Sequence, residues 1–235
     1  MKRLIVCLAV VIAVCGFGQA KAAYEFFDDF NDGIADGWVF PYNSGMTQFP
    51  GGDWSVENGT LVQHFAGDGN NGLVDNLLLS NQVIETQART IGYAGIVVWY
   101  QQVDETLANY VAVSRNSILG LWVHEHIDGH ATTYYYGGPA IADGAWYDLK
   151  VEADSATGSM AVYLDGAYVL THVGSTPYRT GLSGLYSGNA VTYFDNFRLT
   201  SDDAAVVPEA SSLAIWSVLS MVGVGYGWWR KRKAA

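Results

Sequence analysis

Cysteine, basic residues and helical periodicity are what this sequence has little of. The chain has 235 residues and only two cysteines, Cys7 and Cys15, both inside an apolar run at the N-terminus. If that run is removed on export, neither a disulfide nor a thiolate remains. Twelve Lys+Arg face 23 Asp+Glu, a formal charge of −11, and the bases are unevenly placed. Lys2, Arg3, Lys21, Arg230, Lys231, Arg232 and Lys233 lie in the two end segments. Between Glu25 and Glu209 only Arg89, Arg115, Lys150, Arg179 and Arg198 stand against all 23 acids, a net −18. Such a surface repels phosphate backbones, which excludes nucleic acid as a partner. Half of the residues are apolar and 15% are charged, so disorder is excluded as well.

The two ends read as addresses. Lys2 and Arg3 form a basic start, Leu4 to Val14 is an apolar run, and Ala20-Lys21-Ala22 supplies small residues for cleavage. The run is too short to span a bilayer. Residues 1–22 are therefore expected to be a signal peptide, and the mature chain to be exported. At the other end come Val207-Pro208-Glu209, the uncharged run Leu213 to Trp229, and Arg230-Lys231-Arg232-Lys233. Seventeen uncharged residues make a helix of about 26 Å, enough to cross a thin membrane, with the bases held on the cytoplasmic side. This order resembles the PEP-CTERM sorting signal of bacteria that make extracellular polysaccharide, although Ala210 stands where a second proline is common. The resemblance implies an inner-membrane intermediate, processing by an exosortase, and release to the cell surface or matrix. A permanent membrane anchor is the alternative. The expected organisation is thus 1–22 signal, 23–201 body, 202–206 linker and 207–235 sorting segment.

No stretch of the body keeps a 3.6-residue period. Short segments rich in Val, Ile, Tyr, Trp and Thr recur between Gly, Asn and Asp, the pattern of a sheet protein. Fourteen strands are expected, among them Ala94–Gln101, Tyr110–Ser114 and Ile118–His126, together with Asn76–Leu79 and Thr180–Tyr186. Glu57-Asn58-Gly59 and Asp165-Gly166 each join two alternating runs as a tight hairpin would. That many short strands in one domain predict an all-β, two-sheet antiparallel jelly-roll sandwich.

The order of particular pieces carries a resemblance. Phe26-Phe27-Asp28-Asp29-Phe30-Asn31 opens the body, followed by Gly37-Trp38 and Val56-Glu57-Asn58-Gly59-Thr60-Leu61. Trp146-Tyr147-Asp148-Leu149-Lys150-Val151 and Val162-Tyr163-Leu164-Asp165-Gly166 follow, and Tyr193-Phe194-Asp195-Asn196-Phe197-Arg198-Leu199 closes it. Over residues 24–200 the chain resembles concanavalin A-like lectin/glucanase domains, which include laminin-G-like modules and family 16 glycoside hydrolases. The resemblance implies a structural calcium on Asp29, Gly59 and Asp195, with oxygen ligands suited to a hard cation.

It does not carry over a catalytic apparatus. The Glu-x-Asp-x-x-Glu strand of the family 16 enzymes is missing; the nearest acids, Glu125 and Asp128, fall on opposite faces of a strand. His124, His126 and His130 cluster near them, and the first two share a face, but no third metal ligand stands at a diagnostic spacing. Strand alternation offers a different site. With Leu119, Leu121 and Val123 inward, Trp122, His124 and His126 face outward. With Val111 and Val113 inward, Tyr110 and Ser114 face outward, and with Ile96 and Val98 inward, so do Trp99 and Gln101. Aromatic rings stack on sugar faces while Gln, His and Ser hydrogen-bond, so these seven residues are expected to line a glycan-binding groove. Tyr134-Tyr135-Tyr136 is a second aromatic concentration that could form its rim. The expected function is a secreted, non-catalytic module binding carbohydrate or matrix polymer. The alternatives are a divergent glycoside hydrolase, such as the 3-keto-disaccharide hydrolase-like sandwiches, and a structural matrix protein without a specific ligand.

Overall fold

A computed structural model describes residues 24–41, 53–64, 69–75, 78–104, 107–116, 120–139 and 141–202. The anticipated signal peptide and sorting segment lie outside the described residues. Fifteen strands form among those described. They are β1 Tyr24–Asp28, β2 Trp38–Val39, β3 Trp54–Glu57, β4 Thr60–Gln63, β5 Asn70–Val74, β6 Gln82–Thr90, β7 Tyr93–Gln102 and β8 Ala108–Asn116, then β9 Gly120–Ile127, β10 His130–Gly137, β11 Trp146–Asp154, β12 Ser159–Leu164, β13 Ala167–Val173, β14 Leu182–Gly188 and β15 Thr192–Ser201.

They make two antiparallel sheets. One runs β13-β12-β11-β6-β15-β4-β3, with β1 added alongside β15; the other runs β10-β9-β8-β7-β14-β5-β2. The reason is visible in the residues. In β6, Gln82, Ile84, Thr86, Ala88 and Thr90 are buried while the odd positions are half exposed. In β11, Tyr147, Leu149, Val151 and Ala153 are buried while Trp146 and Asp148 face solvent. Period-two alternation can be satisfied only by a sheet with one covered face. The inward sets of both sheets merge into one core that includes Leu61, Ile84, Ile96, Val111, Leu121, Val151, Phe194 and Phe197. Each such aliphatic or aromatic side chain contributes roughly 1.5–3 kcal/mol by leaving water.

Both anticipated hairpins are present. Asn58-Gly59 has φ of 51° and 75°, and Asp165-Gly166 has 49° and 75°. Two successive positive φ values are what a two-residue turn needs to follow the strand twist. Asp128-Gly129, at 50° and 79°, makes a third such turn between β9 and β10. Of the strand expected at Asn76–Leu79, Asn76 and Leu77 lie outside the described residues, and Leu79 makes only a single bridge, to Gly181. The strand lies earlier, at Asn70–Val74, where all five residues are buried between β14 and β2. Its Asn-Asn-Gly start reads as a turn, and only tertiary pairing makes it extended. The strand expected from Thr180 begins at Leu182. The chain enters and leaves on paired strands, with Tyr24 opposite Ser201.

Candidate functional site

The outer face of the seven-stranded sheet is built row by row from the strand register. In one row Asn71 lies opposite Tyr186, Tyr186 opposite Gly95, Gly95 opposite Ser114, Ser114 opposite Trp122 and Trp122 opposite Tyr135. In the next, Ala112 lies between Val97 and His124, and His124 faces Thr133; in the third, Tyr110 faces His126. Cross-strand neighbours on one face lie within side-chain reach.

The result is a belt of rings in two groups. Trp122 meets Tyr135 edge-on at 4.5 Å between centroids, Tyr93 at 4.7 Å and His124 at 5.4 Å. His124 stacks on Tyr186 at 5.8 Å. His126 stacks on Tyr110 at 4.4 Å, and Tyr110 on Tyr100 at 5.8 Å. Among the described residues four buried polar atoms of the belt have no hydrogen-bond partner: Asn71 Oδ1, Ser114 Oγ, Trp122 Nε1 and His124 Nε2. An unpartnered buried polar group costs about 1–3 kcal/mol, so four on one face is a concentration that needs a cause. His124 Nδ1 is occupied by Thr133 Oγ1 at 3.1 Å. Burial pushes both imidazoles down to about 4, and the His124 neighbour lowers His126 further. Both rings are therefore neutral at neutral pH, and none of the side chains named on this face carries charge. The floor is deeply set: Trp122 is 8% and Tyr110 3% exposed, while Tyr135 stands out at 63%.

Five of the seven anticipated groove residues, Tyr110, Ser114, Trp122, His124 and His126, thus share one face. Trp99 and Gln101 do not, and their expected orientation is corrected here. A bulge interrupts the β7–β8 ladder between Val98 and Gln101, and Trp99 takes a positive φ of 55°. The extra residue turns Trp99 back into the core, where it is fully buried and donates from Nε1 to the Ser80 carbonyl at 2.8 Å. The same inversion brings Tyr100 onto the outer face and turns Gln101 away, its Nε2 donating to the Thr180 carbonyl at 2.5 Å. Sequence alternation passed over Tyr93, Tyr100, Tyr186 and Asn71. Tyr93 and Tyr186 could have been found by carrying the same parity count into their strands.

Glu125 sits between the two histidines in sequence but on the opposite face, inside the core. Its Oε1 is 2.6 Å from His172 Nε2, it accepts from the Ser175 backbone N–H at 3.1 Å, and its Oε2 takes the Ser175 hydroxyl proton. His172 Nδ1 lies 2.6 Å from the Tyr136 hydroxyl. The network ties β9 of one sheet to β13 of the other. Every lone pair it offers is engaged, so the carboxylate is structural. Asp128 accepts a hydrogen bond from the Tyr178 hydroxyl at 3.0 Å.

The three anticipated calcium positions meet at another corner, where β1 ends, the β3–β4 hairpin turns and β15 bulges. A Cβ on Gly59 would lie 2.7 Å from Asn31 Oδ1, and Asn31 in turn donates its backbone N–H to Asp29 Oδ1 at 3.1 Å. Asp195 is held above the usual carboxylate range by burial and then by the Asp29 charge, against the Asn196 N–H that it accepts at 2.7 Å. The backbone and side-chain oxygens at this corner, with the Asp29 charge acting on Asp195, are of the donor type that a hard cation takes.

No protein-family model and no curated protein sequence matches the chain. Solved structures do. A carbohydrate-binding module, CBM66 from Bacillus subtilis, aligns with a TM-score of 0.56 at 19% identity over 69% of this chain and 94% of that one. The catalytic domain of an endo-1,3-β-glucanase (laminarinase) from Thermotoga petrophila aligns at 0.52 with 15% identity over 78% and 100% of the two chains. A Bacillus licheniformis β-glucanase aligns at 0.51 with 11% identity over 75% and 97%. At these identities the fold alone is shared, and the body of this chain is an all-β, two-sheet antiparallel jelly-roll sandwich like theirs.

Proposed function

We propose that the body is a non-catalytic module that binds a neutral carbohydrate on the outer face of its seven-stranded sheet. The observation that carries this reading is the coincidence of an uncharged aromatic belt with four unpartnered polar atoms: Asn71 Oδ1, Ser114 Oγ, Trp122 Nε1 and His124 Nε2. Rings accept the C–H face of a sugar, and a ring of hydroxyls can satisfy both donors and acceptors at once. The sandwich of CBM66, which carries the same fold, supports the binding class. A glycosidase would need two carboxyl groups roughly 5–10 Å apart flanking the sugar. Among the described residues the belt holds none, and the nearby Glu125 is consumed by His172 and Ser175.

Around this module, residues 1–22 direct export, and Val207-Pro208-Glu209 with the following apolar and basic segments directs exosortase sorting to the surface or matrix. Calcium on Asp29, Gly59 and Asp195 stabilises the corner where the first and last strands meet. Native electrophoresis through gels carrying neutral polysaccharides tests the main claim. Retardation by at least one of them should be lost in Trp122→Ala and His124→Ala variants whose melting curves show them folded. Folded variants that are retarded as strongly as wild type would overturn it.

A further inference from the structure

We propose a second binding site on the opposite side of the sandwich: a guanidinium clamp at Arg89 that takes the carboxylate of a uronic acid residue in an acidic polysaccharide, with Trp146 stacking on the sugar ring. The site is independent of the neutral-carbohydrate face.

The body has five bases, and four are committed. Lys150 pairs with Glu152 at 2.7 Å and Arg198 with Glu25 at 2.7 Å. Arg179 donates to the carbonyls of Ser155 and Ala156 at 3.3 and 3.1 Å, and buried Arg115 donates to the Ile141 carbonyl. Among the described residues the Arg89 side chain has neither a hydrogen bond nor an ion pair, in a domain where acids outnumber bases more than fourfold. What holds it is aromatic. Its Cζ lies 4.0 Å from the Tyr193 ring centroid and 5.1 Å from that of Trp146. The register makes this arrangement, with Trp146 opposite Arg89 on one side and Tyr193 opposite it on the other.

Stacking leaves the edge of the guanidinium free. The planar fork keeps all five N–H donors, and the two rings have already restricted a side chain that is ordinarily mobile. A rigid fork matches a carboxylate through two parallel hydrogen bonds and loses little entropy in doing so. Trp146 is 41% exposed and adds an apolar platform beside the fork. A ligand that uses both must carry a carboxylate next to an apolar ring face, which is the description of a uronate pyranose.

The neighbouring row extends the site. Gln87 donates to Asp148 at 2.9 Å and accepts from Asn196 at 3.0 Å. It lines a depression of about 460 Å³ with Glu85, Asp148, Lys150, Tyr163 and Asn196. That volume accommodates one or two further sugar residues. The overall negative charge does not forbid the ligand, because charges beyond roughly 8 Å are screened at physiological salt while the clamp acts at contact, and the two acids of the depression are engaged, Asp148 by Gln87 and Glu85 by Lys150.

Affinity electrophoresis with de-esterified polygalacturonate in the gel tests the proposal, beside its methyl ester and a sulfated galactan. Wild type should be retarded by the free acid and not by the ester. Arg89→Gln and Arg89→Lys should each weaken retardation at least tenfold, since Lys keeps the charge but loses the fork, and Trp146→Ala should weaken it several-fold. Trp122→Ala, on the other face, should leave it unchanged. Melting curves identify which variants remain folded, and the Lys variant keeps the test open if the Gln variant does not. Equal retardation by the ester or by the sulfated polymer, or undiminished retardation of a folded Arg89 variant, would overturn the proposal.

Discussion

Replacing Trp99 and Trp122 separately by alanine should have opposite consequences, and the structure gives the sizes. Trp99 is fully buried among Ile96, Val98 and the facing sheet, so truncation removes an indole from a packed core, at a cost of about 3–5 kcal/mol. It also strips the Ser80 carbonyl of its donor; an orphaned buried acceptor costs about 1–3 kcal/mol, part of which water entering the new cavity would recover. For a domain of this size each kcal/mol lowers Tm by roughly 2–4 °C, so Trp99→Ala should melt about 10–15 °C below wild type. Trp122 instead lies on the outer face against Tyr93, His124 and Tyr135. Its loss removes a side chain only 8% exposed, with three ring contacts worth roughly 0.5–1.5 kcal/mol each beyond that burial, offset in part because its unpartnered N–H disappears with it and water can enter from the outer face. A fall in Tm smaller than that of Trp99→Ala is expected, with carbohydrate retention abolished. Trp99→Phe restores most of the buried area without the N–H and should recover more than half of the loss. Circular dichroism melts and urea titrations on the three variants are sufficient. If Trp99→Ala melted within about 3 °C of wild type, or if Trp122→Ala fell as far as Trp99→Ala, the assignment of the two tryptophans to core and outer face would be refuted.

The two groove imidazoles titrate near 4 when folded and near 6.5 when unfolded, so the unfolded chain binds protons first; stability should be full above pH 6.5 and decline as pH falls toward 4, by up to about 3 kcal/mol for each ring, and His124→Phe with His126→Phe should flatten the pH–Tm profile. Because burial and Asp29 raise Asp195, its ionised form weakens the cation-free fold as pH rises past the ordinary carboxylate range. Asp195→Asn should therefore raise Tm in chelator yet abolish the increase that millimolar calcium produces in wild type, and a wild-type Tm indifferent to both reagents would remove the cation from the corner. Glu125→Ala leaves His172 and the Ser175 N–H facing a cavity and should lose about 3–5 kcal/mol, while Glu125→Gln, keeping an acceptor, should lose less; urea midpoints would reveal the ranking, and equal midpoints for both variants would contradict it.

Alternation made most of the sandwich legible. Where a strand alternates cleanly, as in β9, parity alone places Trp122, His124 and His126 together on the outside. Parity fails where the backbone leaves the two-residue period. Nothing local in Val98-Trp99-Tyr100 announces a bulge, because a tryptophan at positive φ is held there by its buried contacts and by Ser80, nineteen residues away. The Asn70–Val74 strand failed for a related reason: its composition favours a turn, and its extended form comes from β14, more than a hundred residues later. The corner of Asp29, Gly59 and Asp195 was named through resemblance, since its three positions lie in distinctive motifs. The Glu125–His172 network and the Arg89 clamp were not. Each joins strands that are distant in sequence, and each residue alone looks like an ordinary sheet position.

The pairing of β1 with β15, which sets Tyr24 opposite Ser201, makes the domain a module that can be spliced. Directly opposed residues of antiparallel strands have Cα atoms about 5 Å apart, so a linker of a few residues would close the body into a ring. Opening that ring at the Asp165-Gly166 turn, whose two residues are exposed, should yield a circular permutant with both sugar faces intact. The same closeness means the body could be inserted whole into a surface loop of another protein, widening that loop hardly at all. A host carrying it would display one sheet to each side of a single narrow stalk.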